Sequence, residues 1–257
     1  MSAPPRPDPP LAYENTRFME SEEARPLRIL AEYSEPLKRF RAARVCETIV
    51  FFGSARLAED GPLGRYYREA RELARLVTLW AQSLGTEACR YVVCTGGGGG
   101  IMEAANRGAI DAGGLSIGLN IALPFEQHVN RYITPGLAFQ FHYFFMRKLW
   151  FAHLARALVV FPGGFGTLDE MTEILTLAQT HKLEHPIPIV MYGSAYWKEI
   201  INFDALVRHG MISADDLGLF HFADDPARAL ELLKGVAGPA TAKPVDRVPA
   251  FAHSRVG

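Results

Sequence analysis

From Thr48 onward the chain alternates between short, wholly apolar runs and longer stretches that are apolar on one side only. TIVFF, RYVVCT, LSIGLNIALP, RALVVF, PIPIVMYG and GLFHFA have the length and content of strands. Residues 63–83, MEAANRGAIDAG, LDEMTEILTLAQTHK, a stretch around 196–209 and DPARALELLKGV repeat their apolar residues at the spacing of one helix face. AFQFHYFFMRKLWFAHLA begins as a strand and continues as a helix. Strands that are apolar along their whole length, without in-out alternation, are covered on both faces. The pattern predicts an α/β fold, a Rossmann-like, doubly wound and mainly parallel sheet with helices on both faces.

Ahead of this series, Leu27, Leu30, Leu37 and Phe40 fall at helical spacing between Ser21 and Val45. Pro26 and Pro36 predict that this stretch is divided into two short helices. Residues 1–12 are proline-rich and are expected to be disordered, and residues 239–257 read as a flexible tail. One domain is predicted over 13–238, with 13–45 as a helical extension. No internal repeat or linker divides it.

The 257 residues carry a formal net charge of −1 and are 49% hydrophobic, enough for a sizeable core. Neither half is conspicuously basic, so a nucleic-acid polymer or an anionic membrane surface is not an expected partner. Cys46, Cys89 and Cys94 form no Cys-x-x-Cys pair and read as reduced thiols. The opening MSAPPRPDPP lacks the apolar core of a signal peptide, and no apolar run spans a bilayer. A soluble, cytoplasmic protein is the expectation.

Two glycine-rich loops follow strands and precede helices: the first runs from Cys94 through Gly96, Gly97, Gly98, Gly99 and Gly100 to Met102. The second is Phe161-Pro162-Gly163-Gly164-Phe165-Gly166-Thr167. Glycine lets the backbone approach an anion, and the helix behind it offers free N–H groups and the positive end of its dipole. Tight turns alone would also use glycine, but two such loops on one sheet edge favour a phosphate-bearing ligand. The dinucleotide fingerprint fails, because its third glycine position is Ile101 or Met102 and the next strand lacks an acidic residue. No Gly-Lys dipeptide makes a P-loop. A mononucleotide fits better.

Thr167-Leu168-Asp169-Glu170 matches a capping box, which would occupy Glu170 with the N–H of Thr167. Beside a phosphate loop, however, the helix dipole would favour its ionised form, able to stabilise an oxocarbenium-like transition state or activate water at C1′. Arg147 and Lys148 are adjacent cations in a strongly aromatic segment, and snorkelling explains one of them more readily than both. Arg147 could bind a phosphate oxygen or hold Glu170 by a forked hydrogen bond. His181-Lys182-Leu183-Glu184-His185 matches a His-x-x-Glu-His metal motif, but Pro186 should end the helix first, so no metal site is expected.

MRK, with PGGFGTLDE placing its glutamate 23 residues after the arginine, resembles the LOG family of cytokinin riboside 5′-monophosphate phosphoribohydrolases, often mislabelled lysine decarboxylases. GSAR and TGGGGGIMEAANRGA share the resemblance, which covers roughly residues 46–235, and the extension before residue 45 resembles the family's longer branch. The resemblance implies Arg147 and Glu170 as the catalytic pair. It implies ligand-binding roles for Gly53, Ser54, Gly97, Gly98, Gly99, Gly163, Gly164, Gly166 and Thr167, with Met102 and Lys148 counted beside them. Phe165 stands where many relatives have tyrosine, and Asp169 where many have glutamate. The implied reaction is cleavage of an adenine-type nucleoside 5′-monophosphate to free base and ribose 5-phosphate, without a cofactor. A pyridoxal phosphate decarboxylase would need a Schiff-base lysine, and Lys148 is the only lysine near the site. The competing reading is a non-catalytic nucleotide sensor on the same fold. The apolar segment 139–151 and the resemblance together imply a homodimer or higher oligomer.

Overall fold

The computed structural model describes residues 9–85, 91–123, 128–183 and 186–236. Seven strands, β1 (Thr48–Phe52), β2 (Val92–Thr95), β3 (Ser116–Ile121), β4 (Ala138–Phe141), β5 (Ala155–Val160), β6 (Ile189–Tyr192) and β7 (Phe220–Ala223), form one sheet in the order β4-β3-β2-β1-β5-β6-β7. Every pairing is parallel, where the sequence predicted a mainly parallel sheet. The chain first builds outward from β1 to β4 and then returns to place β5 on the other side of β1. The loops after β1 and β5 therefore part at the carboxyl edge, where open parallel sheets bind ligands.

Parallel strands need helical crossovers, and the two faces are filled accordingly. Ile49, Phe51, Val93, Val159 and Val190 point to one face and meet α3 (Gly64–Ser83), α4 (Ile101–Asp111) and α9 (Pro226–Val236). Val50, Phe52, Cys94, Val160 and Met191 point to the other. There they meet α2 (Arg25–Ala42), α5 (Phe144–Leu154), α6 (Phe165–Gln179) and α7 (Ser194–Ile200). A single turn, α1 (Thr16–Met19), precedes α2, and α8 (Phe203–Arg208) follows α7. Among the described residues no helix is long and apolar enough to cross a membrane.

Three expectations are corrected. The stretch before β1 is one continuous helix, α2, with Pro26 in its first turn and Pro36 inside it. Pro36 has no N–H to give the carbonyl of Glu32, and the indole Nε1 of Trp150 donates to that carbonyl instead, at 3.1 Å. Tertiary contact thus replaces the bond whose loss was expected to break the helix. Around 196–209 the single predicted helix is two, α7 and α8, separated at Asn202, whose side chain accepts the N–H of Ala205 at 2.9 Å. Ala12, expected within a disordered segment, opens a 3-10 turn over Ala12–Glu14. Residues 239–257 and Cys89 lie outside the described residues.

The helical extension also sets the position of α5. The carboxylate of Glu32 accepts the backbone N–H groups of His142 and Tyr143, at 2.7 and 3.2 Å, where the chain turns from β4 into α5. Tyr33 and Phe40 pack on Trp150 with ring centroids 5.5 and 5.3 Å away. Arg39 donates to the carbonyls of Gly136 and Ala138 at 2.8 and 2.6 Å, beside the start of the edge strand β4.

Candidate functional site

The loops after β1, β2 and β5 are joined through Ser54. Its N–H donates to Pro162 at 3.0 Å, and its carbonyl accepts from Ile101 at 3.1 Å. Both glycine loops therefore meet the β1 loop at one residue. The close approach explains the residue types. A Cβ on Gly53 would stand 2.7 Å from the Ile101 side chain, and one on Gly100, at φ +61°, would strike the Ser54 carbonyl.

The first loop is held from beneath by a polar set that the sequence reading did not single out. Asn130 donates its side-chain amide to the carbonyls of Gly97 and Gly98, at 3.2 and 2.9 Å, and to Asn106 Oδ1 at 2.8 Å. Thr95 Oγ1 donates to the same Asn106 oxygen at 2.7 Å and accepts the N–H of Gly97 at 2.9 Å. Asn106 is fully buried. Its signal in the sequence is an amide on the apolar face of α4, among Ile101, Ala105 and Ala109. With its carbonyls engaged, the loop leaves the N–H groups of Gly98 and Gly99 without a partner among the described residues.

The second loop feeds α6, which starts at Phe165 with Gly164 as its N-cap. Tyr196 donates to the Gly163 carbonyl at 2.8 Å, and a Cβ on Gly163 would collide with the Thr167 side chain. Because the helix starts two residues before Thr167, the capping box does not form: the N–H of Thr167 donates to the Gly164 carbonyl at 3.0 Å. Glu170 lies in the second turn and turns to other partners.

Arg147 Nη2 donates to Glu170 Oε1 at 2.9 Å. Glu170 is 4% exposed and is enclosed with the pair rather than free in solvent. Lys148 Nζ stands 2.8 Å from Asp169, 2.7 Å from Glu173 and 3.6 Å from Glu170. Burial raises the Glu170 carboxyl above its ordinary 4.5, while the charges of Arg147 and Lys148 pull it back. This corrects the expectation that the helix end alone would favour the ionised form. Burial opposes the charge of Lys148, yet the hydrogen bonds to Asp169 and Glu173 and the charge of Glu170 outweigh it and raise the lysine's pKa. Arg147 Nε is buried and has no hydrogen-bond partner among the described residues.

The structure thus brings Arg147, Lys148 and Glu170 together and gathers Gly53, Ser54, Gly97, Gly98, Gly99, Gly163, Gly164 and Thr167 along the same sheet edge. Met102 is half-buried, with its Sδ 2.8 Å from the position of a Cβ on Gly96. Phe165 is 92% exposed beside Gly166. His181 lies beyond the end of α6, and Glu184 and His185 are outside the described residues. Among the described residues, no group of three or more His, Cys, Asp or Glu side chains could hold a metal.

An all-parallel, doubly wound sheet with joined glycine loops at its switch point defines a Rossmann-like fold. The chain belongs to the LOG family, whose model, described as "Possible lysine decarboxylase", matches residues 102–233. It is 29% identical over 146 residues to a rice (Oryza sativa subsp. japonica) protein named "Probable cytokinin riboside 5′-monophosphate phosphoribohydrolase LOG4", across 57% of this chain and 63% of that one. It is 26% identical to the Arabidopsis thaliana cytokinin riboside 5′-monophosphate phosphoribohydrolase LOG4, across 71% of this chain and 77% of that one. A second rice relative, LOGL5, is matched over 49% of its length, so the chain spans only about half to two thirds of these two rice relatives. Among solved structures, TM1055 superposes with a TM-score of 0.53 at 21% identity, covering 74% of this chain and 99% of that one. The molybdenum cofactor binding protein from Rippkaea orientalis gives 0.50 at 21% identity, covering 74% and 96%. These two likenesses concern the fold.

Proposed function

We propose that this protein hydrolyses the N-glycosidic bond of an adenine-type nucleoside 5′-monophosphate, with Arg147 and Glu170 as the reacting-centre pair. The observation that carries the reading is the buried Arg147–Glu170 contact of 2.9 Å, on helices that begin at the edge where the glycine loops meet. The names of the rice and Arabidopsis relatives describe this reaction for those proteins.

In the proposed reaction the phosphate lies against the N–H groups of the two loops. As the bond between C1′ and the base nitrogen lengthens, positive charge grows on the ribose. Glu170 in its ionised form stabilises that charge and accepts a proton from the attacking water. The water oxygen bonds to C1′, the base leaves with the electron pair of the broken bond, and a proton completes the free base. Ribose 5-phosphate is the other product. Lys148, already surrounded by Asp169, Glu170 and Glu173, acts on the charge and placement of Glu170. No cofactor enters this scheme.

The protein is further proposed to self-associate through the segment 139–151. Phe139, Phe141, Met146, Trp150 and Phe151 are buried within the chain, but Phe144 and Phe145 remain 49% and 50% exposed. Incubation with AMP and with N6-substituted adenosine monophosphates, followed by detection of free base, tests the reaction. Saturable binding with no base release would instead establish the nucleotide-sensing alternative.

A further inference from the structure

Arg147 and Glu170 lie on the α5–α6 side of the sheet. On the α3–α4 side, a separate cavity of about 400 Å³ opens between the β1–α3 loop and α4. Its charged lining is Arg56, Arg107, Arg131, Glu59 and Glu103, and Tyr67 and Tyr132 add two rings. The carboxylates are already engaged. Arg107 donates to Glu59 at 3.1 Å, and Tyr67 donates to Glu103 at 3.1 Å. Among the described residues Arg56 and Arg131 make no hydrogen bond to a carboxylate, and the nearby charge of Glu103 acts on Arg131. Arg131 donates to the Tyr132 hydroxyl at 2.9 Å, and the guanidiniums of Arg131 and Arg107 lie 5.0 and 5.6 Å from the centre of the Tyr132 ring. The ring thereby restrains two of the three cations. Three cations face two anions, and the excess is positive.

We propose that this cavity is a second binding site, for a small phosphate monoester with a sugar-sized body. The volume is that of a small-molecule site. Two guanidiniums whose forks bond no carboxylate offer the planar geometry that matches phosphate oxygens. Tyr67 and Tyr132 supply the amphipathic wall that suits a sugar. Gly100 belongs to this cavity and also to the loop joined to Ser54, so the two sites share one wall. The proposal stands apart from the hydrolysis reading, because none of its residues belongs to the Arg147–Glu170 pair.

The test is calorimetric titration of the full chain with ribose 5-phosphate and with inorganic phosphate. Ribose 5-phosphate is expected to give two binding events. The double variant Arg56→Ala/Arg131→Ala weakens one of them by at least about tenfold, since each charge-assisted bond lost is worth that much. Arg147→Ala weakens the other. Both arginines of the double variant are exposed, and an unchanged melting temperature with Arg131→Gln as a single substitution guards against misfolding. A single event, lost in Arg147→Ala and untouched by the double variant, overturns the proposal. So does inorganic phosphate binding the cavity as tightly as the sugar phosphate, because the body would then contribute nothing. A chain that cleaves no nucleotide yet keeps the event dependent on Arg56 and Arg131 refutes the hydrolysis reading and leaves this one standing.

Discussion

Glu170 experiences two opposed influences, burial that favours its neutral form and two cations that favour its charge, and burial prevails. Its native pKa therefore lies above the unfolded value. The native state binds more protons than the unfolded chain between those two values, so this residue's contribution to stability falls as pH rises through that window. Glu170→Gln should flatten that slope, as pH-dependent melting will show. The proposed reaction uses the ionised carboxylate, so kcat/KM should rise over an acid limb displaced upward from the ordinary 4.5. At neutral pH, Glu170→Gln and Arg147→Ala should each lower turnover by about two orders of magnitude while the protein stays folded. A Glu170→Gln protein with full turnover would remove the residue from the chemistry. The pairing of Arg147 with Glu170 was legible as one of two readings of the aromatic RK segment. The upward pKa was not, because burial depends on what α5 and α6 pack against.

The elements show where local rules hold and where contacts override them. Pro36 was a sound reason to expect a helix break, and α2 continues because Trp150, more than a hundred residues away, serves the stranded Glu32 carbonyl. Trp150→Phe should cost about 1–3 kcal/mol by leaving that acceptor unpaired and trimming the core. In a Pro36→Ala background residue 36 regains an N–H, so the same Trp150→Phe substitution should cost measurably less. Equal costs in denaturant melts would show that the indole bond has no such role. At the loops, Gly100→Ala should destabilise by at least about 1 kcal/mol, because φ is positive there and the new methyl meets the Ser54 carbonyl. The glycine content of that loop announced tight geometry. The contact that makes Gly100 irreplaceable is made by a residue from the preceding strand-loop unit.

For the whole molecule, the proposed function makes two demands. N–H groups from two loops are poorly matched to a neutral nucleoside, so adenosine should be cleaved at least about a hundredfold less efficiently than AMP. Parallel kcat/KM measurements decide this, and comparable values would mean that the loops do not serve a phosphate. Segment 139–151, with Phe144 and Phe145 exposed, should bring the protein to a dimer or larger assembly. Light scattering at micromolar concentration checks it, and a clean monomer would rule the segment out.

The chain's pattern determined the order of strands and helices, the parallel character of the sheet and the placement of both glycine loops at its carboxyl edge. These follow from local periodicity and from the requirement that strands apolar on both sides be covered twice. Tertiary structure alone decided that α2 stays whole, that Asn106 and Asn130 brace the first loop, that Glu170 leaves the capping box for Arg147, and that Arg56, Arg107 and Arg131 share a cavity. Each of these depends on a hydrogen bond or charge contact between residues distant in sequence or on how deeply a group is buried. Neither distance in space nor burial is encoded in the spacing of apolar residues along one element.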